Sequence, residues 1–161
     1  MARTSGYSAF VSAIEAECRA FQQFLEILKS EHDALDSGNI DCLPGLAQSK
    51  QDQVIALKQL IDARNAHLVA LSLSADRRGM DGWLKQNDAP GGVTETWRRV
   101  LEFAEAARDL NQGNGAMIEA RLHLNQQALA ALHAAAQQAN GLYGADGQTH
   151  GASSSNPLST A

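Results

Sequence analysis

Aromatic side chains supply only 5% of this sequence, and its 161 residues include just three prolines. Strands draw on aromatic and β-branched residues, so this scarcity, beside abundant Ala, Leu and Gln, points to helix throughout. Cysteine is also scarce: Cys18 and Cys42 stand alone, without CxxC or CxxH spacing. A disulfide framework is thereby excluded, and both thiols are expected as small buried hydrophobes. No apolar run approaches the ~20 residues that a membrane-spanning helix needs. No continuous apolar core of a signal peptide follows Met1-Ala2-Arg3-Thr4-Ser5-Gly6. A cytoplasmic location without membrane insertion is the expectation. Positive charge is lacking too. The formal net charge is −5, and the scattered basic residues are adjacent only at Arg77-Arg78 and Arg98-Arg99. Nucleic acid and anionic membrane are therefore excluded as the main partner.

What the chain does have is helical periodicity. From Ser8 to Ser37, apolar positions fall at Val11, Ile14, Cys18, Phe21, Leu25, Leu28, His32 and Leu35. Steps alternating between three and four residues make the seam of a helix packed lengthwise on others. Phe10, Phe24 and Ile27 widen this stripe enough for two partners. Ser37-Gly38-Asn39 suits a left-handed cap.

A second helix is expected from Asp41, as N-cap, with Pro44 in its first turn. Its inward face would carry Leu43, Ala47, Lys50, Val54, Leu57, Ile61, Arg64, Leu68 and Leu71. The short connection makes an antiparallel hairpin in which the numbers of facing residues sum to about 78.

Ser74 can cap a short helix that Gly79 and Gly82 limit, with Met80, Trp83 and Leu84 plugging one end of the bundle. Asp88-Ala89-Pro90-Gly91-Gly92 reads as a loop. A third long helix is expected from Thr94, as N-cap, to about Leu142, with Gly113-Asn114-Gly115 in its middle. Those glycines suit either a kink or a close helix crossing. The fold class is all-α: an elongated antiparallel bundle of three long helices plus a short helix over residues 8–142. Residues 143–161 contain too little apolar surface to offset the entropy of ordering and are expected as a flexible tail.

Lengths carry the argument further. The first two helices would each be about 45 Å long and the third roughly 70 Å. A straight third helix would overhang the hairpin by about 15 to 20 residues, near Asn125 to Leu142. Alanines cluster there around Leu129 and Leu132. Alanine holds a helix without tertiary support and lets another helix come close. Such a face is either a partner surface or, if the helix bends at Gly113–Gly115, part of the core.

Catalytic chemistry finds no footing. Histidines occur at 32, 67, 123, 133 and 150, and none forms HExxH. His32 with Asp36 is a single ligand pair, which does not make a metal site. A phosphorelay histidine would want a nearby Lys, but His32-Asp33-Ala34-Leu35-Asp36-Ser37-Gly38 has none, and its acidic residues would repel a phosphoryl group. No Gly-rich phosphate loop follows a strand. No enzyme activity and no cofactor is expected.

The run Arg108-Asp109-Leu110-Asn111-Gln112-Gly113-Asn114-Gly115 continues through Ile118 to Asn125-Gln126-Gln127-Ala128-Leu129 and Leu132. With Leu142-Tyr143-Gly144-Ala145-Asp146-Gly147-Gln148-Thr149, it closely resembles the C-terminal half of FlgN flagellar export chaperones. The order of parts fits as well: a hairpin with Glu31-His32 and Lys50, a short link, a Trp-starting long helix and a tail.

The resemblance implies a chaperone of the hook-associated proteins FlgK and FlgL that binds their disordered C-terminal segments. It prevents premature assembly and delivers them to the export gate protein FlhA, with the export ATPase complex as a further partner. It also implies client binding on the C-terminal part of the long helix, by Ile118, Leu122, Leu129, Leu132, Ala136 and Ala139, and export-gate docking by Tyr143. The alternative role for Tyr143 is to pin the helix end to the bundle. Asn111, Asn114, Gly115 and Asn125 form the signature, and the three asparagines are expected as buried polar residues that set helix register. The competing reading is a structural coiled coil that assembles with itself.

Overall fold

The computed structural model describes residues 2–142, with side chains for 6–138. Four α-helices follow one another: α1 (Ala2–Ser37), α2 (Leu43–Ala70), α3 (Arg77–Gln86) and α4 (Gly91–Leu142). The described residues contain no strand. The chain divides into two compact units after Met117.

In the first unit α1 and α2 form the antiparallel hairpin. Read toward its N-terminus, α1 meets successively later residues of α2: Glu31 pairs with Lys50, the Ala20 carbonyl with Gln53, Glu17 with Arg64, and Phe10 stacks on His67. Gly38 turns the chain at φ 75°, in the left-handed region that glycine occupies without steric cost. Asp41 does not cap α2. It lies in a 3-10 turn, Ile40–Cys42, whose tight bonding carries the chain to a helix start at Leu43 with Pro44 in its first turn. That turn leaves Cys42 exposed, against expectation, with its thiol donating to the Asn39 carbonyl at 3.3 Å. Cys18 is buried as expected.

The inward face of α1 matches its seven-residue pattern, with Ile14, Cys18, Leu25, Leu28 and Leu35 all buried. The face of α2 is rotated from the expected stripe: Ala47, Val54 and Leu71 are exposed, while Leu46 and Gln53 turn inward. The reason is chemical. Lys50, Gln53 and Arg64 of α2 bond to α1 beside the buried Leu57 and Leu68, so hydropathy alone does not mark the face.

Asp76, not Ser74, caps α3. Its carboxylate accepts from the Gly79 N–H at 3.0 Å, and the Ser74 hydroxyl braces it at 2.6 Å. These bonds hold the Asp76 carboxyl below the usual range, the Ser74 bond most strongly. Gly79 passes so close to Ser74 that a Cβ would stand 1.8 Å from the Ser74 carbonyl oxygen. Helix α4 starts three residues before Thr94. Pro90, with φ fixed near helical values, presents its carbonyl to the N–H groups of Val93 and Thr94 and draws Gly91-Gly92 into the first turn.

Met80 and Trp83 do plug the bundle, within a buried cluster of Phe10, Ile14, Cys18, Leu68, Trp97 and Val100. Tyr7 stacks on Trp83 at 5.3 Å and Phe10 meets it edge-on at 4.6 Å. Each large side chain buried there contributes about 1.5–3 kcal/mol. A second cluster, Leu25, Leu28 and Ala107, is flanked by Phe24, Phe103 and Leu110.

Candidate functional site

Two constellations stand out on α4. The first lies in the bundle and gathers residues from three helices. Lys50 of α2 reaches both carboxylate oxygens of Glu31 on α1, at 2.8 and 2.9 Å, and donates to the Asn111 side-chain carbonyl at 3.2 Å. Asn114, fully buried, donates to the Leu28 carbonyl and to Glu31 Oε2, both at 2.9 Å. With its amide nitrogen so committed, Asn114 can offer only Oδ1 to His32 Nδ1, 3.0 Å away. His32 therefore carries a proton on Nδ1. Every member finds a partner, so the network tolerates burial and fixes one register of α4 on the hairpin.

Asn114 is thus buried, as expected of it. Asn111 contributes from the surface through Lys50. Gly115 is half-buried, and a Cβ on it or on Gly113 would meet nothing within 4 Å. Neither glycine serves a close crossing, and the α4 helix runs through both without interruption. Asn125 overturns its expectation. It is exposed and has no hydrogen-bonding partner among the described residues.

The second constellation is the described part of α4 from Ile118 onward. Ile118, Leu122, Leu129 and Leu132 are 43%, 57%, 57% and 67% exposed. Ala136 is exposed as well. The side chain of Ala139, and Tyr143 with the tail that follows it, lie outside the described residues. Ile118, Leu122, Asn125, Leu129, Leu132 and Ala136 are spaced by alternating steps of four and three, the period of a helix–helix seam. A seam so open to water is unusual in a folded unit. Leu124, 62% exposed, lies off the seven-residue stripe, and the sequence reading passed over it.

A further pair was not foreseen from sequence. Arg64 of α2 donates to Glu17 of α1 at 2.8 Å, and its guanidinium lies 4.9 Å from the centre of the Trp97 ring. Glu17 falls on the α1 face between Ile14 and Cys18, so a charged residue beside two seam positions was the available signal. No group of three or more His, Cys, Asp or Glu side chains among the described residues could hold a metal ion. No helix among them is long and apolar enough to cross a membrane.

The family model described as FlgN protein matches residues 1–151. The flagella synthesis protein FlgN of Salmonella typhimurium is 34% identical over 93 residues, covering 58% of this chain and 64% of that protein. The protein of the same name from Yersinia enterocolitica is 31% identical over 137 residues, covering 81% of this chain and 85% of its own. The chain thus spans just under two thirds of the Salmonella relative and most of the Yersinia one. No solved structure matches. With the family match running through the α1–α2 hairpin, the buried asparagine network and all of α4, this chain belongs to the FlgN family, whose relatives named here are flagella synthesis proteins.

Proposed function

We propose that this protein is a cytoplasmic chaperone of flagellar type III export that holds the C-terminal segments of the hook-associated proteins FlgK and FlgL on α4. The carrying observation is the run of exposed apolar residues at seam spacing: Ile118, Leu122, Leu129 and Leu132. Ala136, also exposed, extends that run, and Ala139 follows three residues on in the sequence; such small side chains keep the approach close for an incoming helix. The binding mode is an amphipathic helix laid along an apolar face, with binding energy from burial of the leucines. A client that orders as it binds gives up about 2–5 kcal/mol of the gross interaction. That cost keeps the complex releasable without a nucleotide site. Covering the apolar end of the client stops it from assembling early.

In this reading the chaperone delivers its client to the export gate protein FlhA, with Tyr143 as the docking residue, and the export ATPase complex acts beside it. Residues 8–142 work as the chaperone domain and the residues after them as its tail. The role is binding and transfer rather than catalysis.

Isothermal titration of the whole chain against the isolated C-terminal segments of FlgK and FlgL tests this. A form ending at Gln127 runs in parallel. One-to-one binding that is lost on truncation supports the reading. Absence of binding to either segment, together with a stable large oligomer of the chain, moves the self-assembling coiled coil to the front.

A further inference from the structure

Of the three α4 asparagines whose side chains are described, two have partners and one has none among the described residues. Asn114 bonds a carbonyl and a carboxylate of α1, and Asn111 accepts from Lys50. Asn125 is exposed without a partner among the described residues, yet it occupies a seam position between Leu122 and Leu129. A helix that covers those two leucines must also cover the amide between them. An amide buried without a partner weakens such a complex roughly tenfold or more.

We propose that Asn125 sets the register of the docked segment, and that the segment is an amphipathic helix carrying one hydrogen-bonding side chain within its apolar face, seated opposite Asn125. This deepens the chaperone reading and rests on it. Two observations favour that occupant. Between Ile118 and Gln138 the only Asp, Glu, Lys or Arg residues are Glu119 and Arg121, both in the first turn of the segment. Charge therefore gives a partner almost nothing with which to align itself along the remaining length. Leu122 and Leu129 are also seven residues apart and present equivalent knobs, so leucine packing alone leaves a one-heptad slip almost neutral. Asn125 is the polar mark that separates the two alignments, as a single amide does in a coiled-coil seam. Asn114 already shows the amide chemistry at work in the bundle, where both of its donors and its acceptor are used.

The test is a double-mutant cycle by titration. The full chain and its Asn125→Leu variant each meet the FlgK and FlgL C-terminal segments. They also meet a series of segments in which every polar residue of the apolar face is replaced in turn by leucine. The expected result is a roughly tenfold loss for Asn125→Leu with the native segment. One leucine-substituted segment should recover that loss with Asn125→Leu while binding the wild-type chain poorly. Equal responses of both chains to every segment overturn the register role and leave the chaperone reading intact. A native segment that fails to bind the wild-type chain overturns both. Self-association of the wild-type chain in sedimentation, weakened by Asn125→Leu, assigns the seam to a second copy and also overturns the proposal.

Discussion

Arg64 Nη1 donates to Glu17 Oε1 at 2.8 Å, yet the Glu17 carboxyl is pushed above its usual range. Burial is the cause: Glu17 is 1% exposed, and its second oxygen has no partner among the described residues. The charge of Arg64 pulls the carboxyl back only in part. An ion pair seen in coordinates is thus not automatically a net gain, because desolvation can exceed the attraction.

A pH dependence follows from that direction. With the folded value raised above the unfolded one, the contribution of Glu17 is fully present below the unfolded value and is lost as pH rises through the folded one. Urea unfolding of the wild type and of Glu17→Gln, compared from about pH 4 to about pH 7, should show the wild type losing ground to the variant. A difference that moves the other way would mean that Arg64 outweighs burial.

Asn114→Leu should cost about 2 kcal/mol, because the Leu28 carbonyl, Glu31 and His32 each lose a buried partner. Asn114→Asp should cost more, since it sets a second carboxylate beside Glu31. Asn111→Ala, at the exposed edge of the same network, should stay within about 0.5 kcal/mol. Chemical denaturation midpoints would rank the three, and equal losses would deny Asn114 its special place.

The glycines divide by what surrounds them. Gly79→Ala drives a Cβ into the Ser74 backbone and should destabilise by about 2–3 kcal/mol. Gly113→Ala and Gly115→Ala meet open space in a helix and should each stabilise by about 0.5–1 kcal/mol. Thermal melts decide this directly, and a destabilised Gly115→Ala would reveal a packing role for that position.

Leu129→Asp and Leu132→Asp alter exposed positions, so the unfolding free energy should hold within about 0.5 kcal/mol. Binding of the client segments should nevertheless fall about a hundredfold, the scale of a lost anchor at an interface centre. Loss of folding together with binding would place those leucines in the core instead.

Much of this was legible in the sequence. The 3-4 spacing from Val11 to Leu35 marked the face that α1 buries, and Ser37-Gly38-Asn39 marked its end. Helix α2 was less legible: Lys50 and Arg64 do face α1 as expected, but so does Gln53, which hydropathy ranks as a surface residue, while Val54 is exposed. Helix starts were misplaced where a backbone device replaced the expected side chain, as in the 3-10 turn before Leu43 and at Pro90 before α4. The asparagine network could be suspected from residue types, but its joining of Glu31 and His32 to Asn114, and of Lys50 to Asn111, depends on contacts between residues more than sixty positions apart. Asn125 was misread because seam spacing alone does not say whether a position is buried, and this one is exposed.

Both tryptophans lie in the cluster of Phe10, Ile14 and Met80, and no residue of the 118–138 segment belongs to that cluster. Intrinsic fluorescence of this protein is therefore a gauge of that one core. It will follow unfolding closely, with Arg64 over Trp97 making the emission sensitive to the buried ion pair. Residues 118–138 contain neither Tyr nor Trp, so in the chaperone reading an optical assay of client capture there requires a dye placed on α4 or on the client itself.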